Sequence, residues 1–124
     1  MRQIVLALAI LATGCKHAGS AKLEGRWRGT RAEGVSPSVQ EASNTFATQT
    51  EIVARGNVIT ISIPATRGQP ANFVVDDESK STVVLHTEKD GPASKEIFAF
   101  SDDAKTMTWR VGDGRTIVFT KLKE

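Results

Sequence analysis

The chain has 124 residues, 40% hydrophobic and 24% charged, which is the balance of one globular domain and not of a disordered chain. Sixteen Lys and Arg against fourteen Asp and Glu leave a formal charge of +2. Without a clustered basic excess or a basic run interleaved with aromatics, this argues against nucleic acid as a partner. A single cysteine excludes an internal disulfide, so the fold must be held by its core.

Met1-Arg2-Gln3 is a short positively charged start, and residues 4–12 are an uninterrupted apolar run. Nine residues at about 1.5 Å each make roughly 14 Å of helix, short of a hydrocarbon core of about 30 Å. The run does fit the apolar region of a secretory signal, typically about 7–15 residues. Leu11-Ala12-Thr13-Gly14-Cys15 then resembles the bacterial lipobox, with small residues leading to a cysteine. That resemblance implies diacylglyceryl transfer to the Cys15 sulfur, cleavage between Gly14 and Cys15, and acylation of the new amino group. Each buried methylene contributes about 0.8 kcal/mol, so two or three chains hold far better than one.

The expected organisation is therefore a cleaved signal peptide (1–14), a lipidated Cys15 with a short polar linker (15–22) and a folded domain (23–124). Losing Arg2 with the signal leaves 15 basic and 14 acidic side chains, a charge of +1. Lys16 rather than Asp follows the cysteine, which by resemblance to enteric lipoproteins implies outer-membrane sorting, facing the periplasm. The partner implied is the membrane, through acyl chains on Cys15; oligomeric state is not legible. His17 reads as a solvated linker residue.

From Leu23 onward apolar residues recur with period two between turn residues, the strand signature. Residues 25–29 alternate with Trp27 inward and Arg26 and Arg28 outward. Residues 36–46 differ: Ser36 can cap, Pro37 suits a first helical position, and Val39, Ala42 and Phe46 share one helical face. Strands are predicted over 49–55 and 57–63, around a turn at Gly56-Asn57, with Ile59, Ile61 and Ile63 on one face. Two prolines and Gly68 make 64–70 a loop. Further strands follow at 71–76, 82–88, 95–101, 106–111 and 115–122, joined by turns at 77–80, 89–92, 101–104 and 112–114. Phe98 and Phe100 share a face, as do Met107, Trp109 and Val111, and Ile117 and Phe119.

The fold class expected is all-β: an antiparallel meander of about eight strands, closed into an up-and-down barrel that removes its open edges, with one short helix between the first two strands. Gly25-Arg26-Trp27 at the start of the first strand, ahead of such a meander, resembles the lipocalin-like domains of small bacterial lipoproteins. The resemblance implies that Trp27 plugs the closed end, that the 36–46 helix covers the open end, and that Lys121 or Lys123 packs over the Trp. An eight-stranded interior is either filled by side chains or holds one small ligand. Trp27, Phe98, Phe100, Met107, Trp109 and Phe119 favour a filled interior; any ligand held there is small and apolar.

Catalytic chemistry is not expected. Cys15 is committed to the anchor, and His86, the one histidine of the folded domain, alternates with Val83 and Leu85 and should face solvent. No set of His, Cys and carboxylates has zinc or calcium-loop spacing. Asp76-Asp77-Glu78, Asp102-Asp103 and Asp113 sit at turns, where Asp bonds nearby backbone amides. Gly112-Asp113-Gly114 lacks the Lys-Ser/Thr and helix of a phosphate loop and reads as a hairpin. Lys16, Lys22, Arg26, Arg28 and Arg31 form a basic cluster near the anchor, which either touches acidic headgroups or is a solvated strand face. No cofactor is implied. Two functions fit: an anchored carrier of a small apolar molecule, or a non-catalytic interaction or inhibitor protein of the cell envelope with a filled barrel.

Overall fold

A computed structural model of the chain describes residues 19–123. The expected signal peptide (1–14), cleavage between Gly14 and Cys15 and lipidation of Cys15 fall outside the described residues. Eight antiparallel strands close into a barrel in sequence order: β1 (Gly25–Glu33), β2 (Glu51–Arg55), β3 (Val58–Ser62), β4 (Ala71–Glu78), β5 (Thr82–Thr87), β6 (Glu96–Phe100), β7 (Thr106–Gly112) and β8 (Arg115–Lys121). Pairing of β1 with both β2 and β8 closes the ring, so no strand is left as a free edge.

Between β1 and β2 the chain makes a short 3-10 turn (Pro37–Val39) and one helix, α1 (Gln40–Thr48). Pro37 opens this segment because its missing N–H costs nothing in a first turn. The helix continues two residues beyond the expected end at Phe46. β1 also continues past Gly29 to Glu33, through a register shift between Gly29 and Arg31. That bulge breaks strict alternation, so Trp27, Gly29 and Ala32 all turn inward.

The barrel has two unlike ends. β1 starts, and β8 stops, at the base, together with the turns at 56–57, 79–81 and 101–105. The mouth carries α1, the loop 63–70, the β5–β6 connection and the Gly112-Asp113-Gly114 hairpin, where Asp113 and both glycines take positive φ. Trp27, Ile52, Phe73, Val83, Leu85, Phe98, Met107 and Phe119 are fully or almost fully buried in one core. Trp27 meets Phe100 edge-on at 5.8 Å, and Trp109 lies 6.2 Å from Phe98 and 6.4 Å from Phe119.

The base is sealed from below. Leu23 is fully buried, and its carbonyl accepts the Trp27 Nε1–H (2.9 Å). Residues 19–22, the described part of the expected polar linker, are held against the base. Ser20 is only 6% exposed, its carbonyl accepts the amides of Leu23 and Glu24, and its hydroxyl donates to Glu78 (3.3 Å).

Candidate functional site

α1 lies against β1, and the contact face is not the one its apolar spacing predicts. The helix presents Gln40, Asn44 and Ala47 to the strand: Asn44 Oδ1 accepts the Ala32 amide (2.9 Å), and Gln40 Nε2 donates to the Ala32 carbonyl (2.8 Å). Ala47 is its one buried residue. Close approach there requires Gly29, since a Cβ on Gly29 would sit 1.9 Å from the Ala47 carbonyl oxygen. The Gly29 amide in turn donates to the Thr50 carbonyl (3.0 Å).

The apolar stripe Val39, Ala42 and Phe46 is thereby left exposed. Val39 is 46% and Phe46 40% exposed. Ala42 and Phe46 instead form one wall of a half-open cavity of about 530 Å³ at the mouth. Its other walls are Ala32 and Val35 after the β1 bulge, Ile63 from the loop, and Trp109, Val111 and Ile117 from β7 and β8. Ser43, Thr116 and Arg115 supply the polar groups of the lining, and Arg115 is the one charged side chain among them. Below this level the aromatic core fills the barrel, so the cavity is a rim site and not a deep calyx.

Trp109 forms the boundary between core and cavity. Its indole Nε1–H donates to Glu96 Oε1 (2.9 Å), a carboxylate that register places on the inner face opposite Leu85. That bond satisfies a half-buried indole donor and fixes the ring that floors the cavity. A second, smaller cavity of about 270 Å³ lies over the β3–β4 seam, lined by Ile59, Ile61 and Ala71 with Arg67, Lys89 and Asp90. The seam is thin: only Val58–Asn72 and Ile59–Ala71 are paired.

At the base, Lys121 Nζ stands 5.6 Å from the centre of the Trp27 ring, so of the two lysines that the family resemblance allowed it is Lys121 that packs there.

His86 differs from expectation. It is on the outer face, but its side chain is only 13% exposed and its Nδ1 lies 2.8 and 3.0 Å from the two oxygens of Asp76. A carboxylate can only accept, so Nδ1 carries the proton. Lys95 Nζ reaches the same carboxylate (3.0 Å). Asp76 lies at the β4 bulge between Val75 and Asp77, two residues along from Val74, the register partner of His86. The His86 bond, then Lys95, holds the Asp76 carboxyl below the usual carboxylate range. On the opposite wall, Arg26 donates to Glu51 (2.7 Å) with Arg28 at 3.6 Å, and the Arg26 bond likewise lowers the Glu51 carboxyl. Asp103 is lowered by the Ser101 hydroxyl and the Lys105 amide within its turn. None of these groups faces the mouth cavity, and each closes a turn or ties neighbouring strands.

Gly29 and Glu96 are among the positions of this site that the sequence did not mark, with Ala32, Val35, Ser43, Arg115 and Thr116 of the lining. Gly29 stood only as the end of an alternating run, and Glu96 only fell within the 95–101 strand. Among the described residues no helix is long and apolar enough to cross a membrane. No protein-family model, curated protein or solved structure matches this chain.

Proposed function

We propose that this chain is a lipoprotein of the bacterial cell envelope, anchored through Cys15, whose lipocalin-like barrel binds a small apolar ligand at its mouth without catalysing a reaction. The observation that carries the ligand reading is the unburied apolar face of α1. Val39, Ala42 and Phe46 at helical spacing normally mark a face packed on a core. Here Ala42 and Phe46 line a cavity also walled by Trp109, Val111 and Ile117, and Val39, in the turn before α1, stays exposed. A cavity of about 530 Å³ lies within the range of small-molecule sites, about 300–1,000 Å³, and its few polar groups are the kind that orient a ligand. Arg115 as the charged lining residue favours a ligand with an acidic or neutral polar end over a basic one.

Native mass spectrometry of the full protein purified from membranes is the direct test. A retained non-covalent small molecule, displaced by a fluorescent apolar probe, is the expected result. An empty barrel that binds no apolar probe would overturn the carrier reading.

A second reading draws on the filled interior and the apolar rim: Val39, Phe46 and Val111 (38% exposed) are the large hydrophobic side chains exposed among the described residues, and all lie at the mouth. A partner protein of the envelope, including an enzyme that the barrel inhibits, would bury them. Retention of such a protein after mild crosslinking, with an empty cavity, would favour that reading.

A further inference from the structure

We infer that the barrel stands with its sealed base against the bilayer and its mouth toward the aqueous compartment, resting on the reading of Cys15 as the lipid anchor. The base is where the chain enters the barrel, and the entry segment is pinned. Ser20 and Lys22 both reach Glu78 (3.3 and 3.2 Å), Glu24 Oε1 accepts the Gly56 amide (3.0 Å), and Leu23 is buried beneath Trp27. Gly19 is held as closely: a Cβ there would lie 1.8 Å from the Gly56 carbonyl oxygen. Only Lys16, His17 and Ala18 separate Cys15 from this pinned segment.

Lengths then decide the orientation. Four Cα steps of at most about 3.6 Å let the tether span no more than about 14 Å. A strand of β8's seven residues is roughly 24 Å long, and at a barrel tilt near 40° it spans roughly 18 Å of height. A tether fastened at the base is therefore too short to run past the wall and bring the mouth to the plane of the anchor. Charge does not set this orientation. The base segments 19–24, 55–58, 77–82, 101–106 and 121–123 carry six basic and five acidic side chains, a near balance. The exposed apolar side chains Val39, Phe46 and Val111 lie at the far end, away from the lipid.

The test uses the lipidated protein in vesicles of phosphatidylethanolamine and phosphatidylglycerol containing a headgroup-nitroxide lipid. With the Cys15 thiol consumed by the anchor, a single new cysteine carries a fluorophore, either at the base (Lys80→Cys or Lys105→Cys) or at the mouth (Glu41→Cys or Arg67→Cys). Base labels should be quenched at least about threefold more strongly than mouth labels, given roughly 18 Å between the two ends. Inserting about twelve Gly/Ser residues after Ala18 makes the tether longer than the barrel is tall and should bring that ratio close to one. Equal or stronger quenching at the mouth, in protein whose mass includes the lipid, would overturn the orientation and leave the anchor reading standing. A ratio unchanged by the insertion would show that tether length is not its cause. A mass without lipid on Cys15 would overturn the anchor reading and the orientation with it.

Discussion

Lys121 Nζ sits 5.6 Å from the centre of the Trp27 ring, while the same indole donates its Nε1–H to the Leu23 carbonyl on its other side. The first and last strands and the entry segment are thereby joined through one side chain. Gly25 makes room for this, because a Cβ there would lie 2.8 Å from Lys121 Cε. Trp27→Ala should cost about 3–5 kcal/mol, the range for deleting a buried aromatic. Lys121→Ala should cost about 0.5–1 kcal/mol, since the lysine is exposed and its cation–π contact is correspondingly weak. Lys121→Arg should retain most of the stability. Urea unfolding midpoints at constant m-value measure all three, and a neutral Lys121→Ala would show that the ring contact contributes nothing.

The barrel was legible because short apolar runs of period two recur along the chain and turn residues separate them. Where a bulge intervenes, legibility ends. β1 was readable to Gly29, and its continuation to Glu33 was hidden by the register shift after that residue. The Asp76–His86 bond was hidden differently: alternation from Phe73 puts Asp76 on the outer face with His86, but the acidic run 76–78 read as a turn, whereas β4 continues to Glu78. In α1 the helix itself was readable from Pro37 and the apolar spacing, but the buried face was not. The bond that Gln40 donates to the Ala32 carbonyl, the one that Asn44 accepts from the Ala32 amide, and the missing Cβ of Gly29 select the polar face for packing. Those are long-range contacts with no local signature, and they are what leave the cavity open.

Gly29→Ala therefore tests how the mouth is built. Its Cβ would meet the Ala47 backbone, which cannot yield as a flexible side chain would. We expect a loss of about 1–3 kcal/mol, the usual cost of overpacking, with α1 displaced outward and the barrel retained. Faster hydrogen exchange at the amides of α1, and an unchanged rate at β5 and β6, would show this. Uniform acceleration through all strands would mean instead that α1 is part of the barrel's cooperative unit.

Acid should weaken the fold in a defined direction. Asp76 and Glu51 both have carboxyls lowered in the folded state, by His86 and by Arg26 respectively. The unfolded chain thus takes up these protons at higher pH than the folded one. Their contribution is fully present above the ordinary carboxylate values, about pH 4, and is lost as pH falls through the depressed folded values. Asp76→Asn should remove one share of this dependence: the stability difference from the parent should be constant from neutral pH down to about pH 5, then shrink toward pH 2. A difference that grew on acidification would contradict the assigned sign.

Trp109 is positioned to report on the cavity, because its indole is held by Glu96 on one side and faces the lining on the other. Glu96→Ala leaves the indole donor without its partner and should cost about 1–3 kcal/mol, with altered Trp109 emission.

Filling the cavity is the sharper test, because it separates binding from stability. Ala42 lies on the cavity wall, is exposed to solvent and makes no hydrogen bond through its side chain. Ala42→Trp should therefore leave the unfolding midpoint within about 0.5 kcal/mol of the parent, as surface substitutions usually do. It should also lower the affinity for an apolar fluorescent probe at least about tenfold, a difference of about 1.4 kcal/mol. Arg115→Gln, in contrast, should leave a neutral probe unaffected and weaken one with an acidic end. Both variants are read by the same titration, with Trp109 quenching as a second signal. If Ala42→Trp bound the probe as tightly as the parent, the probe would have to sit elsewhere. The smaller cavity over the β3–β4 seam would then be the place to look.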